Sequence, residues 1–169
     1  MASIWKRLGL TVCAAASAWA AGCANLDTIA PGTPATTIEA TRGKPYRIWP
    51  EQGGAASWEY PTGPSSYYTY MVRVGSDGRV TRVDQVLDWQ TFGKLQPGMK
   101  VEDVEHMLGR PYRKTYMPLI HETIWTWRWT ETIWRRCFDA YIAPDETLVR
   151  VGARDEEVSR HGLLTSSPC

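Results

Sequence analysis

The chain has 169 residues, 43% of them hydrophobic and 22% charged, with 19 Lys and Arg against 18 Asp and Glu for a formal net charge of +1. That length can hold one or two small cores, and the near-balanced charge, without a basic stripe, argues against a nucleic-acid partner or a polybasic membrane surface. Beyond the first two dozen residues no apolar run is long enough to span a bilayer.

In chain order, Lys6 and Arg7 precede an apolar run from Leu8 to Ala21, which has signal-peptide length and is too short to span a membrane well. The run closes on Ala20-Ala21-Gly22-Cys23. Small residues ahead of a cysteine are what a lipoprotein signal peptidase needs, and the stretch resembles the bacterial lipobox, with Ala20 where Leu is commoner. The alternative is an ordinary signal peptide with an incidental cysteine. On the lipobox reading, residues 1–22 are removed and Cys23 carries acyl chains, each buried methylene contributing roughly 0.8 kcal/mol to a durable tether over residues 23–30. Ala24, rather than Asp, follows the cysteine, which by the same resemblance directs the protein to the periplasmic face of the outer membrane. Cys13 leaves with the signal, so Cys137 and Cys169 are candidates for one disulfide in an oxidising periplasm, or else two unpaired thiols. There is no Cys-x-x-Cys and the three histidines are scattered, so no metal site or cofactor is expected.

The stretch from Pro97 to Arg113 organises the rest. It reads as a turn, a short amphipathic helix with Val101, Val104 and Leu108 on one face, a glycine stop at Gly109 and a proline exit at Pro111. Gly32, Gly43, Pro45, Tyr46 and Arg47 recur 66 residues later as Gly98, Gly109, Pro111, Tyr112 and Arg113. The chain therefore reads as a duplicated module: a degenerate first copy over 31–83, a connector over 84–96, a second copy over 97–152 and a polar tail over 153–169. In the first copy Thr33 is a candidate cap and Pro34 suits the first helical position, with Ala35 and Ile38 on one face. Gly75-Ser76-Asp77-Gly78 separates two strands, Tyr68–Val74 and Arg79–Val83, because Asp-Gly tolerates positive φ. In the second copy Arg113 to Glu122 reads as irregular, and Trp125-Thr126-Trp127-Arg128-Trp129 as a strand. A hairpin follows, Arg136–Ile142 and Thr147–Val151. The connector's Val86, Leu87, Trp89 and Phe92 are too apolar for a free linker. The fold expected is α+β: two tandem repeats, each a short helix or helix pair packed on a three-stranded antiparallel sheet, the modules sharing an interface or a continued sheet.

Gly98-Met99, Val104, Leu108-Gly109 and Pro111, followed by a Trp-rich strand and a hairpin behind a lipobox, resemble the BamE (SmpA/OmlA) family of outer-membrane lipoproteins. Lys100 stands where that family usually has a Thr cap, and the chain has two modules where a member usually has one. A tandem of such modules also looks like the secreted β-lactamase inhibitory proteins. The BamE resemblance implies a non-enzymatic adaptor, with the β-barrel assembly machinery as protein partner. The alternative is a tandem inhibitor or ligand-binding module with an aromatic concave sheet.

Trp125, Trp127 and Trp129, with Trp134 nearby, form either the core under the helix or an exposed aromatic binding platform. Trp58, Tyr60, Tyr68 and Tyr70 echo them in the first copy. Arg128, Arg135 and Arg136 form either a cationic patch or a solvated strand face. Glu102, Asp103 and Glu105 lie early in a helix, where the macrodipole favours them, and are expected to face solvent. His106, His121 and His161 have no nucleophile at a motif spacing, so no catalytic residue is assigned.

Overall fold

The computed structural model describes residues 26–63, 66–156 and 169. The leader, Cys23, His161 and most of the tail lie outside the described residues. The elements in order are α1 (Ala35–Arg42), β1 (Arg47–Pro50), β2 (Ala56–Pro61), β3 (Thr69–Val74), β4 (Val80–Gln85), α2 (Trp89–Phe92), α3 (Val101–Leu108), β5 (Arg113–Met117), β6 (Glu122–Glu131), β7 (Trp134–Ile142) and β8 (Leu148–Asp155). The class is α+β, but each sheet has four strands, not three: antiparallel meanders β1-β2-β3-β4 and β5-β6-β7-β8. The fourth strand of each is β1 or β5, and β5 lies in the stretch read as irregular. Both are edge strands, so neither carries the alternating apolar pattern that marks a half-buried one. In β5 the last four of five residues are exposed, and β1 holds Pro50, which only an edge tolerates.

Atom by atom, the two copies follow one plan. Gly32 donates to Val80 O and Gly98 to Leu148 O; Ala35 donates to Gly78 O and Val101 to Glu146 O. The helix starts explain a departure from expectation. Neither Pro34 nor Lys100 caps its helix through a side chain, and the Thr33 hydroxyl turns back to Ala30 O. Instead the turn of each distant hairpin supplies a carbonyl to the first helical N–H, at 3.0 Å in the first copy and 2.9 Å in the second. One of the orphan donors at each helix start is thereby satisfied from tertiary structure, which relieves the sequence of the usual Ser or Thr cap.

Two apolar clusters order the layers. Ala35 and Ile38 of α1 pack with Tyr60, Tyr70 and Val72 on one face of the first sheet. Trp49 and Met71, on its other face, join Val86, Leu87, Phe92, Val104 and Leu108 and then Trp125, Trp127, Trp129, Phe138 and Ala140 of the second sheet. The stacking is helix, sheet, helices, sheet. The modules share this central core, and their sheets stay separate. The connector is part of it: α2 is capped by Asp88, which accepts from Thr91 N at 2.7 Å.

Candidate functional site

The tryptophan ladder is core. Trp125, Trp127 and Trp129 are 8%, 1% and 2% exposed, and α2 and α3 occupy the space in front of them. Phe92 stacks on Phe138 at 3.8 Å between ring centres and meets Trp129 edge-on at 5.1 Å. The Trp127 indole N–H donates to Gly109 O at 2.9 Å. The binding-platform reading of Trp125, Trp127 and Trp129 is therefore corrected in favour of the core reading. Their alternation at period two is what a strand buried on one face requires, whatever the other face does.

Arg128 points to the opposite face and is consumed there. Its guanidinium pairs with Glu156 at 2.6 Å, hydrogen bonds Tyr67 Oη and lies over the Tyr67 and Tyr112 rings at 4.2 and 5.3 Å. Tyr67 donates to Glu156 at 2.7 Å; burial first, and then this bond, raise its phenol pKa. Tyr67 belongs to the β2–β3 loop, so the cluster ties the first module to the second. On the same face Cys137 and Cys169 form a disulfide, their Cα atoms 5.8 Å apart. Arg113 and Arg154 both donate to the Cys169 carbonyl. Such a bridge is formed in an oxidising compartment, which makes this an extracytoplasmic protein.

The seam between modules holds a polar cluster that the sequence did not single out. Glu59 on β2 is wholly buried, accepting from Trp49 Nε1 at 3.2 Å and from Arg110 N at 2.7 Å. Burial raises its pKa, more than these two bonds lower it. Nearby, Glu51 Oε1 accepts from Ser57 Oγ at 2.7 Å and Arg73 Nη1 at 2.8 Å, and meets His106 Nε2 at 3.0 Å. His106 stacks on Trp49 at 4.9 Å. A serine, a histidine and a glutamate thus come together, but the carboxylate sits between the other two. Acyl transfer needs the imidazole against the hydroxyl, so the arrangement is that of a structural lock. Glu105 is also not solvent-facing as expected: it takes Arg47 across the seam at 3.2 Å. A groove of about 360 Å³ beside the seam is lined by Arg73, Arg82, Asp84, Asp88 and Lys94 among others, and Arg73 and Arg82 both turn to Asp84.

The four most exposed large apolar side chains among the described residues, Leu119, Ile133, Trp134 and Tyr116, sit at the two ends of β6. At one end, the last residues of β5 and the β5–β6 turn expose Tyr116 (57%), Leu119 (97%) and Ile120 (47%), with Tyr116 Oη and His121 Nδ1 3.2 Å apart across the turn. The adjoining strand β5 pairs only with β6, so its outer backbone groups have no strand beside them among the described residues. Pro118-Leu119-Ile120 was legible as a loop, but nothing in the sequence separates a buried loop from an exposed one.

No family model matches the chain, and no curated protein matches it. Two solved structures are similar at low score. One is a DUF4309 family protein (YjgB) from Bacillus subtilis subsp. subtilis str. 168, 17% identical over 71% of this chain and 76% of that one, with a TM-score of 0.28. The other is an extracellular protein containing a SCP domain from Bacillus anthracis str. Ames, 16% identical over 92% of this chain and 50% of that one, with a TM-score of 0.31. Neither likeness bears on what this chain does. The BamE resemblance expected from the sequence is corrected: no family model matches the chain. The motif misled for a physical reason. Gly98 and Gly109 sit at φ of +88° and +73°, and Gly32 and Gly43 at +87° and +81°, so the pattern encodes the turns of a helix-on-hairpin module.

Proposed function

We propose that the chain is a non-enzymatic adaptor of the extracytoplasmic space, tethered through acylated Cys23 to the periplasmic face of the outer membrane and acting by contact with a protein partner. The observation that carries this is the exposed tip Tyr116–Ile120 at the end of an open edge strand. Contiguous exposed apolar side chains mark interaction sites on soluble bodies, and an unpaired edge can accept an added strand. The polar side chains of the seam and of the Arg128 cluster, by contrast, are engaged with one another.

The tether and the tip are tested separately. Palmitate labelling lost in Cys23→Ser, with the protein leaving the outer-membrane fraction, supports the anchor; labelling that persists overturns it. A photo-crosslinking residue placed at Leu119 in intact cells is expected to give a discrete protein adduct, and one placed at Thr36 on the exposed side of α1 to give none. Identical patterns at both positions would remove the tip as the contact surface.

A further inference from the structure

At the other end of β6 a second apolar group stands in the open. Glu131 and Trp134 are register partners across the β6–β7 turn, and strand alternation sets both on the face that carries Trp129. Trp89 meets Trp129 edge-on at 5.0 Å and donates its indole N–H to Glu131. Trp89, Glu131 and Trp134 therefore lie along one face. Trp134 is 68% exposed, Trp89 49%, and Ile133, in the turn, 78%. Arg135, the next residue of β7, points to the other face of the strand, over the Tyr67 ring at 5.2 Å.

The chain enters the fold at this same end. Leu26 lines a hollow with Tyr60, Pro61 and Gly63, and Asp27 accepts from Tyr70 at 3.0 Å. The loop beginning there carries Tyr67 across to Arg128 and Arg135. Cys23 precedes Leu26 by three residues, at most about 11 Å of extended chain. With so short a leash, an acylated Cys23 brings this end of the body against the bilayer and leaves little space for a protein in between.

The geometry points to phospholipid as the occupant: the patch of Trp134, Ile133 and Trp89 seats in the boundary between headgroups and acyl chains. This deepens the adaptor reading and rests on its lipid anchor. Indole rings suit that boundary because an apolar body and a polar N–H are satisfied at once. The body then stands upright on the membrane. The Leu119 tip is held away from it by the ten residues of β6, a span of about 33 Å.

The test uses protein purified from envelopes and reconstituted with vesicles of phosphatidylethanolamine and phosphatidylglycerol whose acyl chains are brominated. Tryptophan emission is expected to be quenched, Trp134→Phe to lose most of that quenching, and Trp58→Phe to keep it. An unchanged urea midpoint for Trp134→Phe shows that the fold is intact. Quenching that is absent, or is the same in Trp134→Phe as in the wild type, overturns the inference. Palmitate labelling of the same preparation reads the anchor independently. Labelled but unquenched protein keeps the anchor and removes the patch, whereas unlabelled protein quenched through Trp134 keeps the patch and removes the anchor.

Discussion

Gly109 meets two demands that its twin Gly43 meets only in part. Both end a helix with φ near +75° and extended ψ, at 73°/−169° and 81°/−176°, a region that is essentially open only to glycine and costs other residues about 1–3 kcal/mol. A Cβ on Gly43 would meet nothing within 4 Å, whereas one on Gly109 would come within 2.7 Å of Thr69 Cγ2 and 2.9 Å of Glu59 Oε1. Gly43→Ala is therefore expected to cost the backbone penalty alone, and Gly109→Ala clearly more, in urea unfolding. Equal losses would mean that the seam gives way freely. Glu59 itself gives a pH signature. Its carboxyl is raised above the ordinary 4.5, so the native state holds this proton more tightly than the unfolded chain does. The stability it contributes is complete below 4.5 and is lost as pH rises through the folded value. Glu51, lowered chiefly by its bond to Ser57, acts in the opposite sense. In Glu59→Gln the side chain stays neutral, so the stability of the variant relative to wild type should grow from pH 4.5 toward neutrality. Parallel pH profiles would show that Glu59 titrates normally.

Among the elements, those whose sequence pattern reflects local demands were legible. The 66-residue recurrence located both helices, because glycines at positive φ and a proline exit are fixed by backbone geometry. The hairpins followed from Asp77-Gly78 and Asp145-Glu146, where Arg79 N and Thr147 N each bond the turn Asp. The first helix is only weakly marked in the sequence, three threonines diluting its face, yet it forms and Ile38 is 1% exposed. Tertiary contact overrode propensity there. Strands β1 and β5 were missed because an edge strand with solvent on several sides has no reason to alternate. The candidate site was legible only as residue types. Trp125 to Trp129 announced a one-sided strand without saying what covered it. Glu59 is flanked by Trp58 and Tyr60, and nothing in that alternation points to its partner, Arg110 N, in the other module.

At the scale of the molecule, the central core settles whether the chain is two beads or one body. A module of fifty-odd residues is near the lower limit for a core of its own, and here Met71 of the first module, wholly buried, packs in the same cluster as Val104, Leu108 and Trp127 of the second. Arg47–Glu105, Glu51–His106 and the Glu59–Arg110 bond add polar contacts along the same seam. Neither module can open without exposing the tryptophan face of the second sheet and the Trp49 face of the first. Unfolding should therefore be a single transition, coincident by tryptophan emission, which weights the second sheet, and by far-UV circular dichroism, which weights both. Met71→Ala, a substitution confined to the first module, is expected to cost about 2–5 kcal/mol and to shift both signals together. A variant in which the far-UV signal moves to lower denaturant while the emission of the second sheet stays in place would show the modules folding independently. The upright posture we propose would then belong to a jointed body.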